Sequence, residues 1–100
     1  MLRRVVKMTF RAEACQQFEA LFARKRSSIR NFPGCQHLEL WRDQNDPNLY
    51  FTYSHWQDAE ALQNYRHSEL FQKTWAATKQ LFADRPAAWS VDQVDLVEPN

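Results

Sequence analysis

The sequence predicts an α+β sandwich of the split βαβ kind, a four-stranded antiparallel sheet with its helices on one face. Three observations lead there. Four short segments alternate apolar and polar residues, helical spacings of three and four residues fill the stretches after the first and third of them, and clusters of turn formers separate the blocks. A chain of 100 residues has room for one core, so residues 1–98 are expected to form a single domain. With 44% hydrophobic and 25% charged residues the composition is globular rather than disordered.

Leu2 to Phe10 reads as the first strand, with Val6, Met8 and Phe10 on one side and Val5, Lys7 and Thr9 on the other. From Glu13 to about Asn31, the residues Phe18, Leu21, Phe22, Ile29 and Phe32 recur at helical steps. Pro33-Gly34 stops this helix, because proline cannot continue it and glycine accepts the reversed dihedrals of a turn. A second strand runs from Cys35 to Arg42, a turn-rich loop covers Asp43 to Asn48, and a third, aromatic strand runs from Leu49 to Trp56. Asp58 to His67 predicts a short helix. Ser68-Glu69 opens another helix, whose inward positions include Leu70, Phe71, Thr74, Trp75, Thr78, Leu81 and Phe82 before Asp84-Arg85-Pro86 ends it. Ala88 to Val97 reads as a fourth strand whose phase changes near Asp92-Gln93, which predicts a bulge or a new pairing partner there. The order β-α-β-β-α-α-β is ferredoxin-like.

If Arg42 lies opposite Leu49 in the hairpin, then Leu38, Leu40, Phe51 and Tyr53 share one face with Gln36 and His55. Cys35, His37, Glu39, Trp41, Tyr50, Thr52, Ser54 and Trp56 share the other. Helices cover one side only, so Trp41, Tyr50, Trp56 and two apolar residues of the fourth strand are expected on an uncovered face. A second copy of the chain, sheet against sheet, is the simplest cover, giving a homodimer that closes a barrel.

Several function classes are excluded at this stage. A net charge of +1 supplies no field for nucleic acid or an anionic membrane. The longest apolar run, Ala20 to Ala23, falls far short of the roughly 20 residues that cross a bilayer, and no leader pattern follows Met1, so a cytoplasmic location is expected. Cys15 and Cys35 read as free thiols, and the spacing of His37, His55 and His67 suggests no metal site. Gly34 is the sole glycine, which leaves no glycine-rich cradle for a dinucleotide or a nucleotide phosphate. Arg24-Lys25-Arg26 with Arg30 reads as a solvated face near a helix C-terminus.

Phe32-Pro33-Gly34-Cys35 after a long helix, Asp46-Pro47-Asn48 before a strand ending Ser54-His55-Trp56, and Asp58-Ala59-Glu60-Ala61-Leu62 together resemble the antibiotic biosynthesis monooxygenase (ABM) domain family. The resemblance covers nearly the whole chain. It implies a dimeric α+β barrel and oxygenation, without a cofactor, of an electron-rich aromatic or polyketide-like molecule. A haem-degrading branch of the family carries an Asn on the first strand, a Trp in the helix after the strand-terminal Trp, and a His in the last helix. Here Lys7 and Thr9, Tyr65, and Trp75 stand at those places, so the resemblance implies no haem.

Triplet oxygen reacts slowly with closed-shell molecules, so without metal or flavin the substrate itself must supply electrons after deprotonation. That chemistry needs a base, a dry pocket and a donor for the developing oxyanion. Histidine suits the first task with its pKa of about 6.5. On the hairpin register above, His55 is the expected catalytic base, with Tyr65, or Tyr53, as the hydroxyl that orients substrate. Phe71, Trp75 and Leu38 join Tyr53 in the expected substrate wall. His37 falls in either the pocket or the dimer interior. The same scaffold would also serve a non-catalytic ligand-binding or stress-response dimer, or an isomerase or decarboxylase.

Overall fold

The computed structural model describes residues 1–100. Strands β1 (Leu2–Thr9), β2 (Cys35–Arg42), β3 (Leu49–Trp56) and β4 (Ala87–Val91) form one antiparallel sheet in the order β2-β3-β1-β4. Helices α1 (Cys15–Arg30), α2 (Ala59–Arg66) and α3 (Glu69–Lys79) lie on one side of it. This is the ferredoxin-like arrangement that the element order predicts. A short 3-10 turn at Ala12–Ala14 leads into α1.

Local chemistry sets the helix starts. The Asp58 carboxylate accepts from the Ala61 amide at 2.8 Å, and the Ser68 hydroxyl accepts from the Phe71 amide at 3.1 Å, so each satisfies a donor that has no partner inside its helix. Lys79 ends α3, and Phe82 leaves the helix to form an isolated bridge with Phe10.

Two buried clusters sit between helices and sheet. Met8, Phe10, Ala14, Phe18, Tyr50 and Leu81 form the larger, and Cys35, Trp56 and Leu62 the smaller. Tyr50 and Trp56 are each only 2% exposed, beneath the helices rather than on the open face where the sequence places them. The hairpin register explains the difference. Arg42 pairs with Tyr50, not Leu49, and a one-residue slip turns every side chain of β3 to the opposite face. The loop enforces it. The Asp43 carboxylate accepts from the amides of Asn45 and Asp46, the Asp46 carboxylate accepts from Asn48, and the Asp43 amide donates to the Leu49 carbonyl at 2.9 Å.

Leu38 and Leu40 therefore face the helices together with Tyr50, Thr52, Ser54 and Trp56, whereas Phe51, Tyr53 and His55 face away with His37, Glu39 and Trp41. A bulge between Cys35 and His37 takes up Gln36 and turns Cys35 inward opposite Trp56. The open face gains Arg3, Val5 and Lys7 from β1 and Trp89 and Val91 from β4. Trp41, Trp89 and Val91 are 41%, 48% and 40% exposed there. The fourth strand is shorter than expected. It ends at Val91, and Val94 beyond it is 97% exposed, so the change of phase after Asp92 marks the strand's end in this chain rather than a bulge.

Gly34 has φ +90°, in the left-handed region, and a Cβ built on it would stand 2.4 Å from the Ala61 Cβ. Its carbonyl accepts from the Gln57 amide at 2.8 Å. Gly34→Ala is expected to lower stability by at least about 2 kcal/mol, combining left-handed strain with overpacking. Urea unfolding measures it, and a loss well under about 1 kcal/mol would show that the turn relaxes freely.

Candidate functional site

A cavity of about 400 Å³ lies between the helices and the sheet. Its volume is in the range of small-molecule sites. β1 contributes Arg4, Val6 and Met8 to the floor, β3 contributes Thr52, Ser54 and Trp56, and Leu38 of β2 and Ala87 and Ala88 of β4 complete it. Phe71, Thr74, Trp75 and Thr78 of α3 form the roof, with Leu62, Tyr65 and Arg66 of α2 and Phe18, Phe22 and Ile29 of α1 at the sides.

The aromatic part of this lining is continuous. Trp56 stacks on Tyr65 at 4.8 Å, Tyr65 meets Phe71 edge-on at 5.2 Å, and Phe71 stacks on Trp75 at 5.8 Å. Helical spacing makes that possible, since Phe71 and Trp75 are four residues apart and so share one face of α3. The Trp56 indole donates to the Ser54 hydroxyl at 3.0 Å, which fixes the ring at the cavity edge. Burial, and then the nearby Cys35 thiol, push the Tyr65 phenol well above its ordinary value, so this hydroxyl stays protonated and can donate but not accept a proton as a base. The Thr74 hydroxyl oxygen is buried with no hydrogen-bond partner, while the Thr74 carbonyl accepts from the Thr78 hydroxyl at 2.7 Å.

Four of the six site residues expected from sequence, Leu38, Tyr65, Phe71 and Trp75, meet in this cavity. His55 and Tyr53 do not. Both lie on the opposite face of β3, because the register differs by one residue from the expected one. There the His55 Nε2 and the Tyr53 hydroxyl are 2.8 Å apart, Trp41 stacks on Tyr53 at 4.9 Å, and the His37 and His55 rings are 4.7 Å apart. His37 hydrogen-bonds Glu39, and the Trp41 indole donates to the same carboxylate at 2.8 Å. Desolvation, with the charges of His37 and Arg3, lowers the His55 pKa, and Glu39 opposes the shift. His37 belongs with this open-face group and not with the cavity.

The sequence reading places Trp56 on the uncovered face, assigns Arg4 and Arg66 to no site, and takes Thr74 only as an inward helix position, yet all four line the cavity. Arg4 has the same strand parity as Val6 and Met8, which is the signal that could have found it. The lining contains no imidazole, thiol or carboxylate, and no three His, Cys, Asp or Glu side chains converge anywhere in a group able to hold a metal ion. No helix is long and apolar enough to cross a membrane.

The profile of the antibiotic biosynthesis monooxygenase family matches residues 1–77. Among solved structures, an antibiotic biosynthesis monooxygenase is similar with a TM-score of 0.89 at 22% identity, over 95% of this chain and 100% of that one. A Caulobacter crescentus CB15 protein described as a candidate antibiotic biosynthesis monooxygenase gives 0.87 at 21% identity, over 94% of this chain and 90% of that one. Rv0793 from Mycobacterium tuberculosis gives 0.86 at 16% identity, over 97% and 98%. At such identities the likeness to these structures speaks for the fold. No curated protein sequence matches the chain.

Proposed function

The chain belongs to the antibiotic biosynthesis monooxygenase family, and from that premise we propose that it is a homodimeric, cofactor-independent monooxygenase that oxidises an electron-rich aromatic or polyketide-like molecule with O2. The observation that supports this most is the cavity, whose aromatic wall of Trp56, Tyr65, Phe71 and Trp75 suits a flat, ring-bearing substrate.

In the proposed reaction a phenol or enol loses its proton, and the resulting anion passes an electron to O2. The radical pair recombines as a hydroperoxide, which collapses to a carbonyl. One oxygen atom ends in the new carbonyl. The other leaves as water with the two hydrogens lost from the substrate, so no external reductant is required. The apolar lining keeps water from the carbanion, and the Tyr65 hydroxyl, held protonated, donates to the developing oxyanion. Phe71, Trp75 and Leu38 form the wall that holds the ring. His55, on the far face of β3, belongs to the surface that meets the second copy. His55→Gln is therefore expected to leave turnover intact.

Oxygen uptake with anthrones and naphthohydroquinones, above their spontaneous oxidation, tests the reading. With 18O2 the product is expected to carry one labelled oxygen. Tyr65→Phe is expected to lower kcat/KM by roughly 10- to 100-fold, the loss of one hydrogen bond to a charged group. The lack of a side chain in the lining that titrates as a base near neutrality supports a second reading, a binding protein that performs no chemistry. That reading predicts a raised Tm with apolar ligands and no oxygen uptake.

A further inference from the structure

Arg4 on β1 and Arg66 at the end of α2 both line the cavity, and neither has a carboxylate partner. The ion pairs in the chain are Arg11 with Glu13, His37 with Glu39, Arg42 with Glu19, and Lys73 with Glu69. Arg4 Nη1 donates to the Ser90 hydroxyl at 3.1 Å, a neutral acceptor that leaves the charge unbalanced. Arg66 taken alone has a bland explanation, because a cation in the last turn of a helix is favoured by the macrodipole. Arg4 has none. It occupies a half-buried position on the inner face of a strand, and burial followed by the Arg66 charge lowers its pKa. A half-buried cation facing a like charge, in a lining without acids, is unfavourable until an anion arrives.

We propose that Arg4 and Arg66 form an anion subsite, and that the cavity takes aromatic molecules bearing a carboxylate or an ionised phenol or enol, with the anionic group held by the two guanidiniums. The inference rests on the cavity being the substrate site. It also supplies what the lining lacks. Two guanidiniums stabilise the anion of a phenol or enol, so the substrate can enter already ionised by the solvent outside and needs no side-chain base in the cavity. The unpartnered Thr74 hydroxyl offers a further hydrogen bond to a polar substituent.

The test compares 2-naphthoate with 2-naphthamide, of nearly the same shape and without the charge, by titration calorimetry. The whole chain is expected to prefer the carboxylate by at least about tenfold. Arg66→Gln and Arg4→Gln should each remove most of that preference while changing naphthamide affinity much less. Arg66 is exposed, so its variant guards against a folding defect in the other, and a thermal melt checks both. Equal affinity for the two probes in the unaltered chain, or a preference that survives both substitutions, would overturn the anion subsite while the aromatic cavity stands. Binding of neither probe would remove the cavity as a ligand site and this inference with it. A naphthoate preference without oxygen uptake on any phenol would uphold the subsite and sink the monooxygenase reading.

Discussion

Phe10→Ala is expected to remove about 3–5 kcal/mol of stability, a large part of the roughly 5–15 kcal/mol a domain of this size has. The ring is fully buried and stands at the meeting point of β1, α1, β3 and the segment after α3. It stacks on Phe18 at 4.1 Å, meets Tyr50 at 5.6 Å with nearly perpendicular planes, and lies 5.3 Å from Phe82. Backbone pairing holds it there, since its amide donates to the Asn48 carbonyl at 2.9 Å and Phe82 bridges it from the other side. The neighbours are thus restrained and cannot collapse into the space left, which places the loss toward the upper part of the range. Urea unfolding should show a lower midpoint with an unchanged slope. A loss below about 1 kcal/mol would mean that the cluster repacks and is not the anchor described.

The second large effect concerns the open face of the sheet. Trp89→Glu is expected to weaken the proposed dimer by about 30-fold or more, the effect of losing an aromatic contact of at least about 2 kcal/mol. Trp89 is 48% exposed in the single chain and pairs across from Val5, so the substitution leaves the protomer's own core alone. Sedimentation at micromolar concentration separates the outcomes. An unaltered chain that already sediments as a monomer, or a variant that remains as tight a dimer, would refute the sheet-to-sheet contact. Acid should also lower the stability of the protomer. The His55 pKa lies below the ordinary 6.5 in the folded chain, so the unfolded chain binds more protons. The contribution of neutral His55 is therefore complete above pH 6.5 and is lost as pH falls below it. Arg3, Lys7 and His37 share that face, and Glu39 is the one carboxylate among them, so added positive charge there is repelled.

The elements were legible in the sequence because each is announced locally: alternation in Leu2–Thr9, the Pro33-Gly34 stop, and the Asp58 and Ser68 caps. The hairpin register was not. Leu38 and Leu40 signalled their own side correctly, but the choice between Tyr50, Thr52, Ser54, Trp56 and Phe51, Tyr53, His55 for the inner side of β3 turns on a single residue in the loop. Both sets are rich in aromatics, so hydrophobicity alone does not decide it. The Asp43 and Asp46 carboxylates decide it by holding the loop amides. That one slip divided the expected site, leaving Tyr65, Phe71, Trp75 and Leu38 in the cavity and moving His55 and Tyr53 to the open face. Arg4 and Arg66 went unnoticed for another reason: a charged residue on an inner strand position reads as an end effect until the chain around it is seen to offer no acid.

The chain's sole glycine acts on more than its own turn. Because its bare backbone nestles against Ala61, it serves as the keystone that seats α2, the element carrying Leu62, Tyr65 and Arg66. A fault introduced there would surface at a distance, as a slackened rim around the bound molecule and a blurred taste for charge, in a protein whose strands look untouched.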